Sequence, residues 1–429
     1  MTSAPRVSAR PTTVDLRQAQ RRTLGVLAMA QIISGIGVAV GVALSSLFVA
    51  KLSGSTAISG LAGTATVLGA ALLALPTART TGRSGRRAGL TLAYGSAVAG
   101  CVIAVVAVLL TSWPLLLAAL VLIGGASAGN LSARYSATDL APEGHAARHL
   151  SLVVWAATLG SVTGPNLAEP AADLAESLSI ARDAGPFALA AVTFAVSTII
   201  INLGLRPDPL LLARATSGAS EAPGSDGVRT SLLGTLRDAW GTIRAIPAAR
   251  RALGAIAVSH TAMVSIMSMT PVHLDHGHAG ISVIGIVISL HIAGMYMLSP
   301  LVGWLADRIG KPPVLIAAMV LLLISAALAG TAGYGVPQIT AGLFVLGLGW
   351  SFGLVAGSAM LSEAVPLDRR PAVQGLSDLT MNVCGATGAL LAGAVVGAAS
   401  FAALTLAIAV LVILTGLALV RVAIHRKTV

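Results

Sequence analysis

The sequence predicts an all-α membrane protein with twelve transmembrane helices, arranged as two pseudo-symmetric six-helix bundles. Three observations support this prediction: extreme hydrophobicity, a one-sided distribution of basic residues, and a repeat that relates the two halves. Of the 429 residues, 55% are hydrophobic and only 10% are charged. Soluble domains carry about 25% charged residues, so most of this protein's surface does not face water.

Twelve apolar segments are separated by polar breaks or by breaks that contain glycine and proline. About 20 residues of α-helix cross the hydrocarbon core of a bilayer. Each segment must be helical, because hydrocarbon offers no hydrogen-bond partner to an open backbone. The predicted spans are residues 23–50, 56–77, 88–111, 114–133, 149–168, 185–205, 252–272, 281–305, 313–331, 337–361, 374–398 and 401–422.

The basic residues lie almost entirely in alternate loops. When the N-terminus is placed inside, all but two of the 27 Lys and Arg residues fall on the inner side, and the exceptions are Lys51 and Arg182. This asymmetry sets the orientation and an even number of spans. We therefore expect a multi-pass protein in the lipid bilayer of the cell inner (plasma) membrane, with cytoplasmic N- and C-termini. The net charge of +11 reflects this topology, and no nucleic-acid partner is expected.

One long polar connection divides the first six spans from the last six. Its middle is rich in Ser, Gly, Ala and Pro, which is typical of a flexible linker. The predicted organisation is a cytoplasmic N-terminal tail (1–22), an N-terminal six-helix bundle (23–206), a cytoplasmic linker (207–248), a C-terminal six-helix bundle (249–422) and a cytoplasmic tail (423–429).

The two halves repeat one another. Asp139-Leu-Ala-Pro142, after the fourth span, corresponds to Glu363-Ala-Val-Pro366 after the tenth, at an offset of 224 residues. Parallel six-helix repeats of this kind are typical of transporters that bind substrate between the halves, near the bilayer midplane. No catalytic cluster of the metalloprotease type lies within a span, so the sequence does not favour an enzyme.

A glycine-containing basic turn occurs in each half. Gly303-Trp-Leu-Ala-Asp307-Arg308-Ile-Gly310-Lys311 resembles the G-x-L-A-D-R-x-G-[RK] signature of the major facilitator superfamily. The resemblance implies the major facilitator fold, alternating access and a monomer, with these residues locking neighbouring helix ends at the cytoplasmic side. The alternative is a basic turn that sets topology and has no gating role.

The first-half copy of this turn is degraded. In Gly82-Arg83-Ser84-Gly85-Arg86-Arg87, glycine stands where the signature has aspartate. This departure puts the symmetry of the lock in doubt.

Half of the ten methionines lie between residues 263 and 297. Met263 and Met267 are four residues apart on the seventh span, as are His291 and Met295 on the eighth, so each pair shares a helix face. The rise of 1.5 Å per residue places Met263 and His291 near the midplane. Thioether and imidazole ligands without carboxylate favour a soft cation, Cu(I) first. The alternative is that these methionines fill gaps in a core.

The two pairs resemble the M-x-x-x-M and H-x-x-x-M motifs of the CcoA-like copper-uptake transporters. That resemblance implies copper uptake through a Met/His relay, with copper as substrate and no resident cofactor. Ala255 and Ser259 stand where a thiol pair would precede the methionines. Relatives in the same branch are associated with riboflavin uptake, so a small organic substrate is the alternative.

The loop after the seventh span contains His273, His276 and His278, with Asp275 between them. Imidazole and carboxylate groups at an outer mouth are a candidate site for capturing a metal ion before entry. The alternative is an exposed polar loop that binds nothing specific.

A further partial motif lies on the fifth span. Gly160-x-x-x-Gly164-Pro165 resembles the beginning of the G-x-x-x-G-P-x-x-G signature of drug/proton antiporters, with Ala168 at the last glycine position. It keeps proton-coupled efflux of a drug or metabolite open. The alternative is a kinked helix whose small residues allow close packing.

Overall fold

The computed structural model describes residues 15–43, 45–55, 58, 61–217 and 231–425, and these residues contain helices but no β-strand. The helices are α1 (Leu16–Ala43), α2 (Ser45–Ser53), α3 (Leu61–Leu109), α4 (Trp113–Ser136), α5 (Ala146–Ser177), α6 (Gly185–Gly204), α7 (Pro209–Thr216), α8 (Leu232–Ala245), α9 (Pro247–His276), α10 (Ile281–Tyr296), α11 (Ser299–Ile309), α12 (Lys311–Thr331), α13 (Val336–Ala364), α14 (Arg370–Ala398) and α15 (Phe401–His425). Most of the predicted N-terminal tail, and the end of the C-terminal tail, lie outside the described residues.

Ten helical stretches of the described chain are long and apolar enough to cross a membrane, and the bent pair Ala146–Gly164 and Asn166–Ser177 supplies an eleventh. A twelfth comes from α3, which is 49 residues long and breaks at Gly85. There φ is +88°, a value that favours glycine. Gly89 then packs against Thr77 and Thr81, so the two limbs of α3 fold back on each other. The predicted fold class is therefore confirmed.

The buried apolar residues form two clusters. One lies within residues 27–205, and the other is built mainly from residues 239–419. The second cluster also takes in Tyr135, Ala147 and Leu150 from the first half. These shared residues mark the place where the two bundles pack together.

Small residues bring the bundles into contact. A Cβ added to Gly375 of α14 would lie 2.3 Å from the Cβ of Ala78, and one added to Gly303 of α11 would lie 2.6 Å from the carbonyl oxygen of Ala147. Both approaches occur close to the turns 82–87 and 307–311. We call the side of the protein that carries these two turns the basic face. The halves are therefore closed against each other at the basic face.

The predicted flexible linker contains two helices that the sequence reading missed, and its middle, residues 218–230, lies outside the described residues. Asp208 caps α7 by accepting hydrogen bonds from the backbone N–H groups of Leu210 and Leu211. Ser231 caps α8 in the same way through Gly234. Capping side chains of this kind stabilise short helices, which explains why an apparently unstructured stretch is helical at both ends.

Candidate functional site

A cavity of about 290 Å³ lies between the two halves. This volume is near the lower end of the range for small-molecule sites, which are about 300–1,000 Å³. Both bundles contribute to its walls, which are lined by Gln31, Gly35, Val38, Ser127, Asn130, Leu131, Arg134, Val154, Ala157, Ser161, His260, Met263, Met295, Tyr296, Trp350, Leu354, Met381 and Asn382.

The first-half wall is a hydrogen-bonded polar surface. The side-chain oxygen of Asn130 accepts hydrogen bonds from Ser34 Oγ at 2.9 Å and from the Tyr94 hydroxyl at 2.8 Å. Both donors are buried, so they hold the amide in one orientation. The NH2 group of Asn130 has no partner among the described residues, and it is available to a ligand.

The second-half wall is aromatic. The Trp350 indole N–H donates to His260 Nδ1 at 3.1 Å, and the Tyr296 ring meets the Trp350 ring edge-on at 5.7 Å between centroids. In the neutral imidazole, a nitrogen that accepts a hydrogen bond carries no proton, so His260 holds its proton on Nε2. These contacts fix the indole plane and give the cavity a rigid flat surface.

A buried ion pair joins the halves at the end of the cavity nearer the basic face. Arg134 Nη2 of α4 lies 2.8 Å from Asp378 Oδ1 of α14, and the side chains are 1% and 5% exposed. Beside this pair, the Tyr135 hydroxyl lies 3.2 Å from Ser377 Oγ. These two contacts form a polar bridge between the first and second bundles, and Arg134 itself lines the cavity.

The remaining nitrogens of Arg134 are unsatisfied. Nε and Nη1 are buried and have no hydrogen-bond partner among the described residues. A guanidinium has five N–H donors in a fixed plane, and a donor left unpaired in a low-dielectric interior is costly. Within this cavity Arg134 is therefore the group most in need of an acceptor oxygen from a ligand.

Sequence reasoning missed this pair. The predicted spans 114–133 and 374–398 leave Arg134 among the basic residues of the inner side and place Asp378 near the start of a span. The helix α4 continues to Ser136, so Arg134 lies in its last turn. The available signal was the opposite charges of Arg134 and Asp378, which lie at the ends of two spanning helices. Charges within a membrane usually pair, so such residues are candidates for an ion pair.

A second buried network lies closer to the basic face. Both oxygens of Asp139 accept from Arg86, at 2.7 and 3.0 Å, and Arg86 Nη2 also donates to Gln374 Oε1 at 2.7 Å. Gln374 in turn donates to Ser362 Oγ at 3.1 Å. Arg86 is only 1% exposed. The first-half basic turn is therefore tied to the start of α14 in the second half.

The second-half turn is tied to the first half through Asp307. Its carboxylate accepts from the backbone N–H groups of Ala147 at 3.1 Å and Arg148 at 2.9 Å, at the N-terminus of α5. Lys311 lies 3.5 Å from Asp307 and 2.8 Å from Glu363. A carboxylate at a helix N-terminus is favourable because it meets free N–H groups and the positive end of the helix dipole.

The other signature residues shape this turn. Gly310 has φ of +93°, which lets the chain turn sharply between α11 and α12. Gly303 leaves room for Ser151 and for the backbone of Ala147. Arg308 lies over the Trp304 ring, 5.1 Å from its centroid. The structure thus brings all five signature residues to the closed interface or its immediate neighbourhood.

The four predicted metal ligands do not surround one cavity. Met263 and Met295 line it, whereas Met267 packs half-buried against the second-half core. His291 is fully buried and turns into the second bundle, where its Nδ1 lies 2.8 Å from the Leu343 carbonyl oxygen. Residues four apart are rotated by about 40° around a helix, which is enough to point one member of each pair away from a narrow cavity.

The three outer histidines have separate environments. His273 stacks between Phe401 and Tyr334, with centroid distances of 4.3 and 4.9 Å, and its Nε2 lies 2.6 Å from the Gly333 carbonyl oxygen. His276 and His278 are exposed. No group of three His, Cys, Asp or Glu side chains in the described part of the chain is placed to hold a metal ion. The expected capture site is therefore not assembled.

The partial antiporter motif forms a close helix contact and a bend. A Cβ on Gly160 would lie 2.3 Å from the Ile32 carbonyl oxygen, and one on Gly164 would lie 2.5 Å from the Ala39 Cβ. The span bends by 50° between Gly164 and Asn166, at Pro165. In the structure this motif therefore packs against α1 and coincides with a bend of the helix.

Comparison with known proteins places this architecture in a family. The family model described as Major Facilitator Superfamily matches residues 24–284 and 252–428. The chain is 35% identical over 389 residues to the "Uncharacterized MFS-type transporter YdeG" of Bacillus subtilis, covering 90% of this chain and 88% of that protein. It is 27% identical over 364 residues to the riboflavin transporter RfnT of Brucella anthropi, covering 85% of this chain and 86% of that protein.

The fold likeness extends to solved structures. The human organic anion transporter MFSD10 (TETRAN) superposes with a TM-score of 0.75 at 19% sequence identity, covering 93% of this chain and 99% of that chain. These findings do not extend to the copper-uptake branch that the methionine pairs resemble. They do cover the whole membrane domain, and they point to a transporter rather than an enzyme. The chain belongs to the major facilitator superfamily, whose members are secondary transporters of small molecules across lipid bilayers.

Proposed function

We propose that this protein transports a small organic molecule that carries both a flat ring and an acceptor or anionic oxygen. The observation that carries the proposal is the buried Arg134 guanidinium: the residue lines the cavity, and two of its nitrogens have no hydrogen-bond partner among the described residues. An oxygen of the solute would satisfy those donors. The gain is large because a charge-assisted hydrogen bond in a low-dielectric site is stronger than one in water.

The aromatic wall supports a ring-bearing substrate. Trp350 is held by His260 and faces the cavity between Tyr296 and Leu354. Stacking of a flat ring on an indole stabilises a complex by about 0.5–1.5 kcal/mol beyond area burial. Riboflavin has this combination of a planar ring system and carbonyl oxygens. The similarity to a protein named as a riboflavin transporter supports flavin-like molecules as the first substrates to test.

Copper is the second candidate. The thioethers of Met263, Met295 and Met381 line the cavity together with His260, and such ligands suit a soft cation. Two features weaken this candidate. His291, expected as a midplane ligand, is turned into the second bundle, and the positive charge of Arg134 lies in the same cavity.

The proposed cycle is alternating access about the basic face, which we assign to the cytoplasmic side by the positive-inside rule. The contacts made by Asp307 and Arg86 hold this face closed in the present structure. Opening it requires these contacts and the Arg134–Asp378 pair to break together. A solute that competes with Asp378 for Arg134 would couple its own binding to that opening.

The test is uptake into vesicles containing the purified protein, with riboflavin and Cu(I) measured side by side. We expect riboflavin, and not copper, to accumulate above protein-free vesicles. Copper uptake that is lost in Met263→Leu would instead support the second candidate.

The role of Arg134 is tested with the double variant Arg134→Gln/Asp378→Asn. It removes both charges and keeps groups of similar size, so no unpaired charge is left buried. We expect riboflavin transport to fall by at least tenfold, because the loss of one charge-assisted hydrogen bond is about 1.5–3 kcal/mol. Exposed Arg83→Gln is the matched control. Normal transport by the double variant would reduce the pair to a structural contact.

A further inference from the structure

The exposed face of α8 carries an alternating apolar and basic stripe. Leu233, Arg237, Trp240 and Arg244 follow one another at spacings of four, three and four residues, so they share one helix face. All four side chains are exposed, Leu233 by 77% and Trp240 by 51%. We call these four residues the α8 stripe. Neither arginine of the stripe has an ion pair or side-chain hydrogen bond among the described residues.

The opposite face of α8 is fixed against the protein. Ala239, Thr242 and Ile243 are buried there, and Arg369, immediately before α14, lies with its Nη1 3.4 Å from Thr242 Oγ1. A helix held in this way cannot rotate to hide a leucine and a tryptophan. Among the described residues nothing covers Leu233 or Trp240, so the stripe is open to a surface beyond these residues.

The position of α8 next to a membrane-spanning helix indicates which surface the stripe meets. The helix ends at Ala245, and the membrane-spanning helix α9 begins at Pro247, so a single residue separates them. Trp240 and Arg244 thus lie within two helical turns of the start of a span. Tryptophan rings and snorkelling arginines near the end of a span commonly meet lipid headgroups.

We propose that the α8 stripe binds the acidic phospholipid surface of the bilayer at the basic face. Leu233 and Trp240 enter the boundary between headgroups and acyl chains, and Arg237 and Arg244 bind the lipid phosphates. The alternation is suited to this surface, since an interfacial helix needs an apolar anchor and basic groups at the same depth. Asp238 lies on the flank of α8, not on the stripe, and does not oppose the contact.

The surroundings add charge complementarity. A cleft of about 810 Å³ runs beside the stripe, and its charged lining residues are Arg237, Arg244 and Arg369 together with Asp238 and Asp368. Across the linker, Arg79 and Arg83 line a second cleft with Leu232. Basic side chains thus outnumber acidic ones in the two clefts beside α8, as expected for contact with anionic headgroups and not with a zwitterionic surface alone.

The depth of the stripe is measured with a spin label on the full chain in vesicles of phosphatidylcholine and phosphatidylglycerol. Leu233→Cys is compared with Asp238→Cys in a background carrying Cys101→Ala and Cys384→Ala. We expect the label at position 233 to be relaxed mainly by oxygen, which concentrates in the bilayer, and that at 238 by a water-soluble nickel chelate. Equal exposure of both labels to the chelate overturns the proposal. Shielding of position 233 from both reagents also overturns it, since a protein partner would then cover the stripe.

Lipid selectivity is measured by native mass spectrometry of the protein purified in equal amounts of the two lipids. We expect retained phosphatidylglycerol to exceed phosphatidylcholine, and Arg237→Gln/Arg244→Gln to lower that preference by roughly fivefold or more. The matched control is Arg17→Gln/Arg21→Gln, which removes two exposed arginines at the start of α1. An unchanged preference in the stripe variant, or an equal loss in the control, contradicts specific binding at the stripe.

Discussion

The two basic turns occupy equivalent positions in the two halves, and they close the same face by different chemistry. In the second half, the carboxylate of Asp307 binds the N-terminus of α5. In the first half, the equivalent position is Gly82, where a Cβ would lie 3.7 Å from the Cβ of Pro371 at the start of α14. The first-half connection is made four residues later, beyond the break at Gly85, where Arg86 donates to Gln374.

The two turns differ in how deeply the groups that must separate on opening are buried. The Asp307 side chain is 8% exposed and accepts from two N–H groups at a helix end, so opening exchanges those N–H groups for water. The Arg86 contact belongs to a fully buried network that includes Asp139 and Gln374. A degraded signature therefore does not imply a missing connection. In this chain the first-half turn has become the more deeply buried of the two.

Two described residues of the linker contact the first-half turn. Arg214 of α7 donates to the Gly82 carbonyl oxygen at 2.9 Å, and Asp208 accepts from the backbone N–H of Arg87 at 2.8 Å. These contacts hold the first-half turn through its backbone. They provide a second reason why the first half tolerates glycine at position 82.

The largest effect is expected from breaking the buried first-half network. Arg86→Gln should destabilise the protein by about 3–5 kcal/mol, because it leaves Asp139 buried without its partner. The measurement is the midpoint of thermal unfolding in detergent. Arg83→Gln, an exposed change in the same turn, should leave the midpoint nearly unaltered. The double variant Arg86→Gln/Asp139→Asn should recover most of the loss; failure to recover would mean that Arg86 acts through packing and not through its charge.

A smaller effect on stability, but a clear one on transport, is expected at the second-half turn. Asp307→Asn keeps the size of the side chain and removes the charge that faces the α5 N-terminus and Lys311. A charge at a helix end contributes up to about 2 kcal/mol when partly buried, so we expect transport to fall roughly tenfold with normal membrane insertion. Uptake by vesicles and surface abundance are the two measurements. Unchanged uptake would leave the signature as a topological turn.

The fold could be predicted from the sequence, because the bilayer imposes a length and a polarity on every span. Hydrophobic segments and basic loops gave twelve spans, including the two limbs that meet at Gly85. The short helices α7 and α8 were missed because linker composition hides them. Only their capping residues, Asp208 and Ser231, signal where they begin.

The site was harder to predict, because a transporter helix can turn a residue either toward the central cavity or toward the other helices of its own bundle. Met and His can occur among apolar residues on either of these helix faces, so their presence does not identify the face that lines the cavity. The i, i+4 spacing groups His291 with Met295 but does not say which of them faces the cavity. Arg134 was missed for a related reason. A basic residue in the last turn of a span satisfies the positive-inside rule as well as a basic residue in a loop does, so the rule does not distinguish the two.

The smallest effect is expected from restoring the signature in the first half. Gly82 lies in a helical limb of α3, and a side chain there meets only the ring of Pro371 in ordinary contact. A new carboxylate in Gly82→Asp would find a proline, which lacks an N–H group, at the position equivalent to Ala147 of α5, whose backbone N–H binds Asp307. The existing contacts of Arg86 and Arg214 already hold the turn. We therefore expect riboflavin uptake within about twofold of wild type and a change in stability within about 0.5 kcal/mol, the usual range for a surface substitution.

The informative measurement combines Gly82→Asp with Asp307→Asn. If the first-half aspartate rescues transport in that double variant, the two turns are interchangeable and the contrast drawn between them is wrong. If the double variant is as slow as Asp307→Asn alone, the connection in the first half has moved to Arg86 and cannot be rebuilt by the signature residue.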